Sequence, residues 1–201
     1  MVEYSRAGLR AGSLLATILV SAAAFAAAAP PVTYTLDATK SLLRFSFVQA
    51  GASNTGRFGK YTADVVFAPD NLAASKIDVT VDIASLDSGD KERDDTLRTA
   101  DLFDVAKYPK AHFVATKFAA TGTSRWEAQG KLTIRNVTKD LKLPITFQTK
   151  EEQGGRQVGY LTGRTTLRRL DYGVGQGEWK STEWVNDEVT VTFSLRLLPA
   201  T

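Results

Sequence analysis

Residues 77–113 read IDVTVDIASLDSGDKERDDTLRTADLFDVAKYPKAHF, and the change of pattern inside this stretch decides the fold. Ile77, Val79, Val81 and Ile83 alternate with Asp78, Thr80 and Asp82. That is the period of two required of a strand with one buried face. From Asp90 to Asp104 the alternation stops and charge dominates, with Leu97, Leu102 and Phe103 as the main apolar positions. A short helix running into a tight turn is expected there, with Asp90 as its N-cap. Strand character resumes at residues 110–120. The helix therefore interrupts a β pattern, as a lid over one end of the fold or as a plug in it.

The same period extends in both directions. Leu43, Phe45 and Phe47 alternate with polar neighbours, as do Leu141, Leu143, Ile145 and Phe147, and Val189, Val191, Phe193, Leu195 and Leu197. Residues 57–68, 124–135 and 155–170 are further strand candidates. Turn signals fall at Pro69–Asp70–Asn71, Thr121–Gly122, Gly154–Gly155 and Asn186–Asp187. Pro144 lacks a ladder donor, which predicts an edge strand or a bulge. Eight long strands in hairpin order predict an all-β, antiparallel, closed barrel, because closure removes exposed edges. The helix lies between the third and fourth strands.

A barrel of eight strands holds either packed side chains or one small ligand. Small residues at Ala63, Ala111, Ala115, Ala119, Ala128, Gly130, Gly159 and Gly163, set beside large aromatics, point to an elongated apolar slot. The positions expected to wall it are Phe45, Phe47, Phe58, Val65, Phe67, Val79, Val81, Phe113, Trp126, Leu132, Leu143, Ile145, Phe147, Trp179, Val191, Phe193 and Leu195. At about 0.3 kcal/mol per heavy atom, a tail of roughly forty carbons would bind with on the order of 12 kcal/mol from such walls alone.

Other chemistries find little support. A formal net charge of +3 gives no electrostatic case for nucleic acid. The absence of cysteine and the presence of a single histidine remove most transition-metal chemistry, and no metal or catalytic residue is expected. His112 lies in a strand without a G-x-S-x-G elbow, and reads as a hydrogen-bonded structural residue. The carboxylates between Asp87 and Asp104 are interleaved with Lys91, Arg93 and Arg98, the pattern of a solvated helix with local ion pairs. Their spacing does not match a calcium loop. Gly173, Gly175 and Gly177 permit a bulge or a tight bend at a barrel rim. Trp179 and Trp184 flank that bend and could close over a ligand, touch a membrane surface, or simply pack.

At the N-terminus, Arg6 and Arg10 precede AGSLLATILVSAAAFAAAA (residues 11–29), with Ala-x-Ala exits at Ala24–Phe25–Ala26 and Ala26–Ala27–Ala28. A basic head, a short apolar run and small exit residues predict a secretory signal peptide over 1–29, leaving 30–201 as one exported, periplasmic domain.

Several stretches then carry a family likeness: TLDATKSLLRFSF (35–47), GRFGKYTADVVFAPDNL (56–72), the opening stretch 77–113, GKLTIRNVTKDLKLPI (130–145), RTTLRRLDYGVGQGEW (164–179) and VNDEVTVTFSL (185–195). In these the chain resembles the YceI-like family of exported lipid-binding proteins, from about Val32 to Leu198. The resemblance implies a lipocalin-like barrel with an elongated pocket for a polyisoprenoid or isoprenoid quinone, no other cofactor, and no shared catalytic residue. Two departures are visible. Lys40 stands where many members have a histidine, and Val48–Gln49–Ala50–Gly51 stands where another is common. These and the Val-Gly-Gln-Gly-Glu-Trp segment resemble the subgroup found beside membrane cytochromes of the b type. That likeness implies such a cytochrome as a partner.

Overall fold

The structure, a computed structural model, describes residues 30–200 together with Met1. Apart from that first residue, the expected leader lies outside the described residues. Alternating side chains produce eleven strand segments: β1 (Val32–Leu36), β2 (Leu42–Gln49), β3 (Ala52–Phe58), β4 (Tyr61–Phe67), β5 (Lys76–Asp82), β6 (Leu86–Asp87), β7 (Lys110–Gly122), β8 (Arg125–Ile134), β9 (Val137–Glu152), β10 (Arg156–Arg168) and β11 (Val185–Pro199). Six of the segments are halves of three bent strands. β1 and β2 both pair with β11, β4 pairs with β1 where β3 pairs with β2, and β6 continues β5 beside β3. Counted this way there are eight strands, each antiparallel to the next in chain order, and β11 returns to β1 to close the ring. The expected all-β barrel of eight strands is what forms.

The bends share one physical cause, a local hydrogen bond that replaces a ladder bond. Between β1 and β2 the Asp37 carboxylate accepts from the Thr39 N–H at 3.2 Å and starts a turn of 3-10 helix. Between β5 and β6 the Ser85 hydroxyl donates to the Asp82 carbonyl at 2.6 Å and accepts from the Lys60 N–H at 2.9 Å. Gly59 and Lys60, the break between β3 and β4, therefore sit against that second turn.

The expectation for Pro144 holds locally, and that for Asn186–Asp187 needs correction. β9 is paired to β8 through Glu127 and Pro144, but its ladder to β10 stops at Ile145 and Gly163, which leaves residues 137–144 as an open edge on that side. The missing N–H falls where the two strands part. Asn186–Asp187 is not a turn between elements but a register shift inside β11, between Val185 and Val189. The distortion is useful locally: the Asn186 carbonyl accepts from Arg169 Nε at 3.1 Å, and the Asp187 carboxylate accepts from the Leu170 N–H at 3.0 Å.

The helix α1 (Lys91–Arg98) is shorter than the charged segment that predicts it. Asp90 caps it, accepting from the Arg93 N–H at 3.0 Å. Buried Asp94 accepts from the Ser88 N–H at 2.9 Å, and Arg98 donates to the Leu86 carbonyl at 2.7 Å. Lys91 and Arg98 pair with Asp95, as the reading of local ion pairs expected. Leu97, Phe103 and Val105 then pack on Phe45, Phe47, Ile83, Leu86 and Ala111. Together they form a cap across one end of the barrel.

A polar clamp holds the opposite end. Arg196 points outward from β11, donates to the carboxylates of Asp37 and Glu152, and is almost fully buried. Its own N–H donates to the Ser41 hydroxyl at 2.8 Å. Tyr160 adds a 2.6 Å hydrogen bond to Glu152. The Arg196 guanidinium, then the Tyr160 hydroxyl, hold the Glu152 carboxyl down at about 2 from an ordinary 4.5. A depressed carboxylate stabilises the fold fully above the unfolded value and loses that contribution as pH falls towards the folded one. Wild-type stability should therefore drop between about pH 4.5 and pH 2. In Glu152→Gln that part of the drop should vanish. Denaturation midpoints of the two proteins across this range check it, and parallel curves would refute it.

Candidate ligand cavity

The ring of inward side chains does not fill the barrel. A cavity of about 540 Å³ runs from under α1 down to Leu143, Leu161 and Leu195. That volume lies inside the range of roughly 300–1,000 Å³ seen for small-molecule sites. Its walls are aliphatic and aromatic along the strands. Polar groups gather at the capped end: Gln49, Asp90, Glu92, Arg93, Thr96 and Arg169, with Thr165 lower on β10.

Twelve of the positions expected at the wall face this space. They are Phe45, Phe47 and Phe58 near the cap, Val79, Val81, Phe113 and Leu132 on one side, and Leu143, Val191, Phe193 and Leu195 on the other, with Trp179 in the rim loop. The other five, Val65, Phe67, Trp126, Ile145 and Phe147, lie in the packed core beyond the cavity floor. Alternation tells which face a residue takes, not its height along a tilted strand, so it cannot separate wall from floor.

Small residues do not create the space in the way the sequence implies. A Cβ on Gly163 would stand 2.4 Å from Phe193 Cζ, and one on Gly159 would stand 2.9 Å from Phe147 Cε2. The glycines let aromatic rings lie flat against the wall, so their space is already filled. Ala63, Ala115 and Ala128 are buried in the base, and Ala119 is exposed. Of the small positions named, Ala111 is the one that borders the cavity.

The rim is organised by a residue the sequence reading passed over. Arg169 is 6% exposed and borders the cavity. Its Nε donates to Asn186, Nη1 to Val174 and Trp179, and Nη2 to Ser181 and Val185, all at main-chain carbonyls between 2.7 and 3.1 Å. All five guanidinium donors are thereby used. Burial pushes its pKa down from the usual arginine value. Gly175 has φ +125°, and a Cβ there would stand 2.1 Å from Arg169 Nη1. The Gly-rich segment is thus a collar around this guanidinium. Asp101 ties the collar to the cap, its carbonyl accepting from the N–H groups of Gly175 and Gln176 at 3.0 and 2.7 Å. Arg135 bonds the Ala100 and Gly173 carbonyls at 3.1 and 3.0 Å on the far side. The signal in the sequence is visible afterwards: Leu161, Gly163, Thr165 and Leu167 share one face of β10, and Arg169, the first residue past the strand, stands next in that period. An arginine at an inward position needs a partner.

The remaining candidates sit away from the cavity. His112 Nε2 lies 2.7 Å from Asp78 Oδ1 on the outer face, the structural role expected of it. Trp184 is 66% exposed beside the β2–β3 turn, its carbonyl accepting from the Ala50 N–H at 2.7 Å. Tyr61, on the wall, carries the one buried side-chain polar atom without a partner among the described residues, and burial raises the pKa of its hydroxyl. No group of three or more His, Asp or Glu among the described residues could hold a metal ion. The cavity can exclude water and solvate an apolar chain.

The family model for the YceI-like domain matches residues 34–197. This chain belongs to the YceI-like family. A UPF0312 protein of Vibrio parahaemolyticus is 34% identical over 174 residues, covering 81% of this chain and 88% of the relative. Among solved structures, BcnA of Burkholderia cenocepacia superposes with a TM-score of 0.74 at 34% identity, over 83% of this chain and 99% of that one. A polyisoprenoid binding domain from Saccharophagus degradans superposes with a TM-score of 0.67 over 84% of this chain and 99% of that one. At 17% identity that last likeness concerns the fold alone. The YceI-like barrel, with its short helix between the third and fourth strands, agrees with the architecture expected from the alternation.

Proposed function

We propose that this YceI-like protein binds a long-chain apolar lipid of the polyisoprenoid or isoprenoid-quinone class in its barrel, and carries or stores it in the periplasm. The observation that carries this reading is the cavity, about 540 Å³ with aliphatic and aromatic walls and polar groups confined almost wholly to one end. Such a site rewards a chain that is apolar along its length and polar at its tip. Each buried methylene adds about 0.8 kcal/mol, and no wall residue demands a charge in return. The solved fold relative that binds polyisoprenoids is consistent with this choice of chain. Delivery to a membrane cytochrome of the b type is the narrower form of the proposal and rests on the sequence likeness.

Solvent extraction of the natively produced protein, followed by mass spectrometry, tests the reading. The expected result is an isoprenoid lipid in the extract and an intact mass lacking the leader. A lipid-free extract, together with failure of the protein to take up an apolar fluorophore, would overturn it.

A further inference from the structure

The cavity ends on Leu143, Leu161 and Leu195, and beneath these leucines lies a layer of aromatic side chains. Phe67 of β4 stands edge-on to Trp126 of β8, with ring centres 5.0 Å apart, and tilts against Phe147 of β9 at 4.7 Å. Tyr34 of β1 closes on Phe147 at 5.5 Å, and Phe118 of β7 on Phe67 at 5.8 Å. On the inner side this layer packs against Leu143, Leu161 and Leu195, the cavity floor. On the other side Tyr34, Phe67, Trp126 and Phe147 line a second hollow at the base of the barrel, beside Pro69, Asp70 and Ser124. The layer thus lies between the interior cavity and the second hollow, with Val65, Ile145 and Leu197 buried alongside it. Behind it the wall is built small, with Ala63, Ala115 and Ala128 buried around the aromatics.

This layer has no catalytic or polar task. Its place across the barrel axis gives it one geometric consequence: a chain entering under α1 must stop there. Resting on the lipid-binding reading above, we propose that Phe67, Trp126 and Phe147 set the longest straight chain the protein can bury, and so act as its chain-length selector. Every methylene that fits above the layer gains burial, and every further one is left outside the walls. Affinity should therefore climb with chain length and then stop climbing at a fixed length. Taking away one ring opens space beneath the floor and moves that break upward.

The test is displacement of a bound apolar fluorophore, N-phenyl-1-naphthylamine, by straight-chain fatty alcohols of eight to twenty-two carbons. For the wild type, affinity should rise about fourfold per carbon, the fold-change given by methylene burial, up to the break. In Phe67→Ala and in Trp126→Ala the break should move to longer chains by two carbons or more. In Leu161→Phe, which raises the floor and leaves the layer intact, it should move to shorter chains. A break at one length in wild type and all folded variants would overturn the inference and leave lipid binding standing. Wild-type protein that takes up no fluorophore would overturn the lipid-binding reading itself, and the selector with it.

Discussion

Arg169→Met should lower the stability of the fold by about 3–5 kcal/mol, the upper end of single-substitution effects, because it strips the donor from a buried hydrogen-bond network. The guanidinium serves five main-chain carbonyls spread over residues 174–186. Methionine fills much of the volume but donates nothing, so all five lose their donor at once. Hydrogen bonds to a charged donor contribute about 1.5–3 kcal/mol each. Their sum is offset by relief of burying the charge, which leaves the net loss given above. For a domain of this size each kcal/mol moves the thermal midpoint by about 2–4 °C, so a fall of roughly 6–20 °C is expected. Gly175→Ala should act in the same direction, because its Cβ would stand 2.1 Å from Arg169 Nη1 and 2.7 Å from the Trp179 carbonyl. Thermal denaturation with hydrogen exchange over residues 173–186 checks this. A midpoint within two degrees of wild type would mean that the collar holds itself without the guanidinium.

The contrast between Arg169 and the strands shows which kind of information a sequence displays. The alternation of Ile77, Val79 and Val81 is a statement about one face of one strand, and it is legible because a slip of one residue would reverse the faces. Closure into eight strands follows from their number and order. The bends, where Asp37, Lys60 and Ser85 leave the ladder for local hydrogen bonds, show in the sequence only as a change of phase, with Tyr34 and Leu36 inward before the first bend and Leu43, Phe45 and Phe47 inward after it. Height along the barrel is hidden. Phe113 and Phe147 look alike in the sequence, yet one borders the cavity and the other helps to close its floor. Only the tilt and stagger of the ring assign those levels. The glycines mislead for a related reason. Gly163 reads as empty space until the Phe193 ring is found lying over it. The VGQGEW segment, which reads as a family marker, proves to be the backbone that wraps Arg169.

Phe193→Arg should reduce binding of an apolar chain by roughly 100-fold or more, about 2.7 kcal/mol at tenfold per 1.4 kcal/mol. Phe193 stands on β11 between Val191 and Leu195, all three on the cavity wall. A guanidinium there would meet hydrocarbon on every side once a chain is bound, and an unpaired buried charge costs several kcal/mol. In the unliganded protein the arginine stem can run along the wall with its head turned towards the polar end. The loss should therefore appear in binding more than in folding. Phe193→Leu keeps an apolar wall and should bind within a few-fold of wild type. Ser194→Arg places the same charge one residue on, at an exposed outer position, and should leave binding unchanged. The three variants together separate interior charge from charge as such. Extraction of Phe193→Arg with a full complement of native lipid would show that the chain does not lie along this wall, and the cavity would lose its claim to be the binding site.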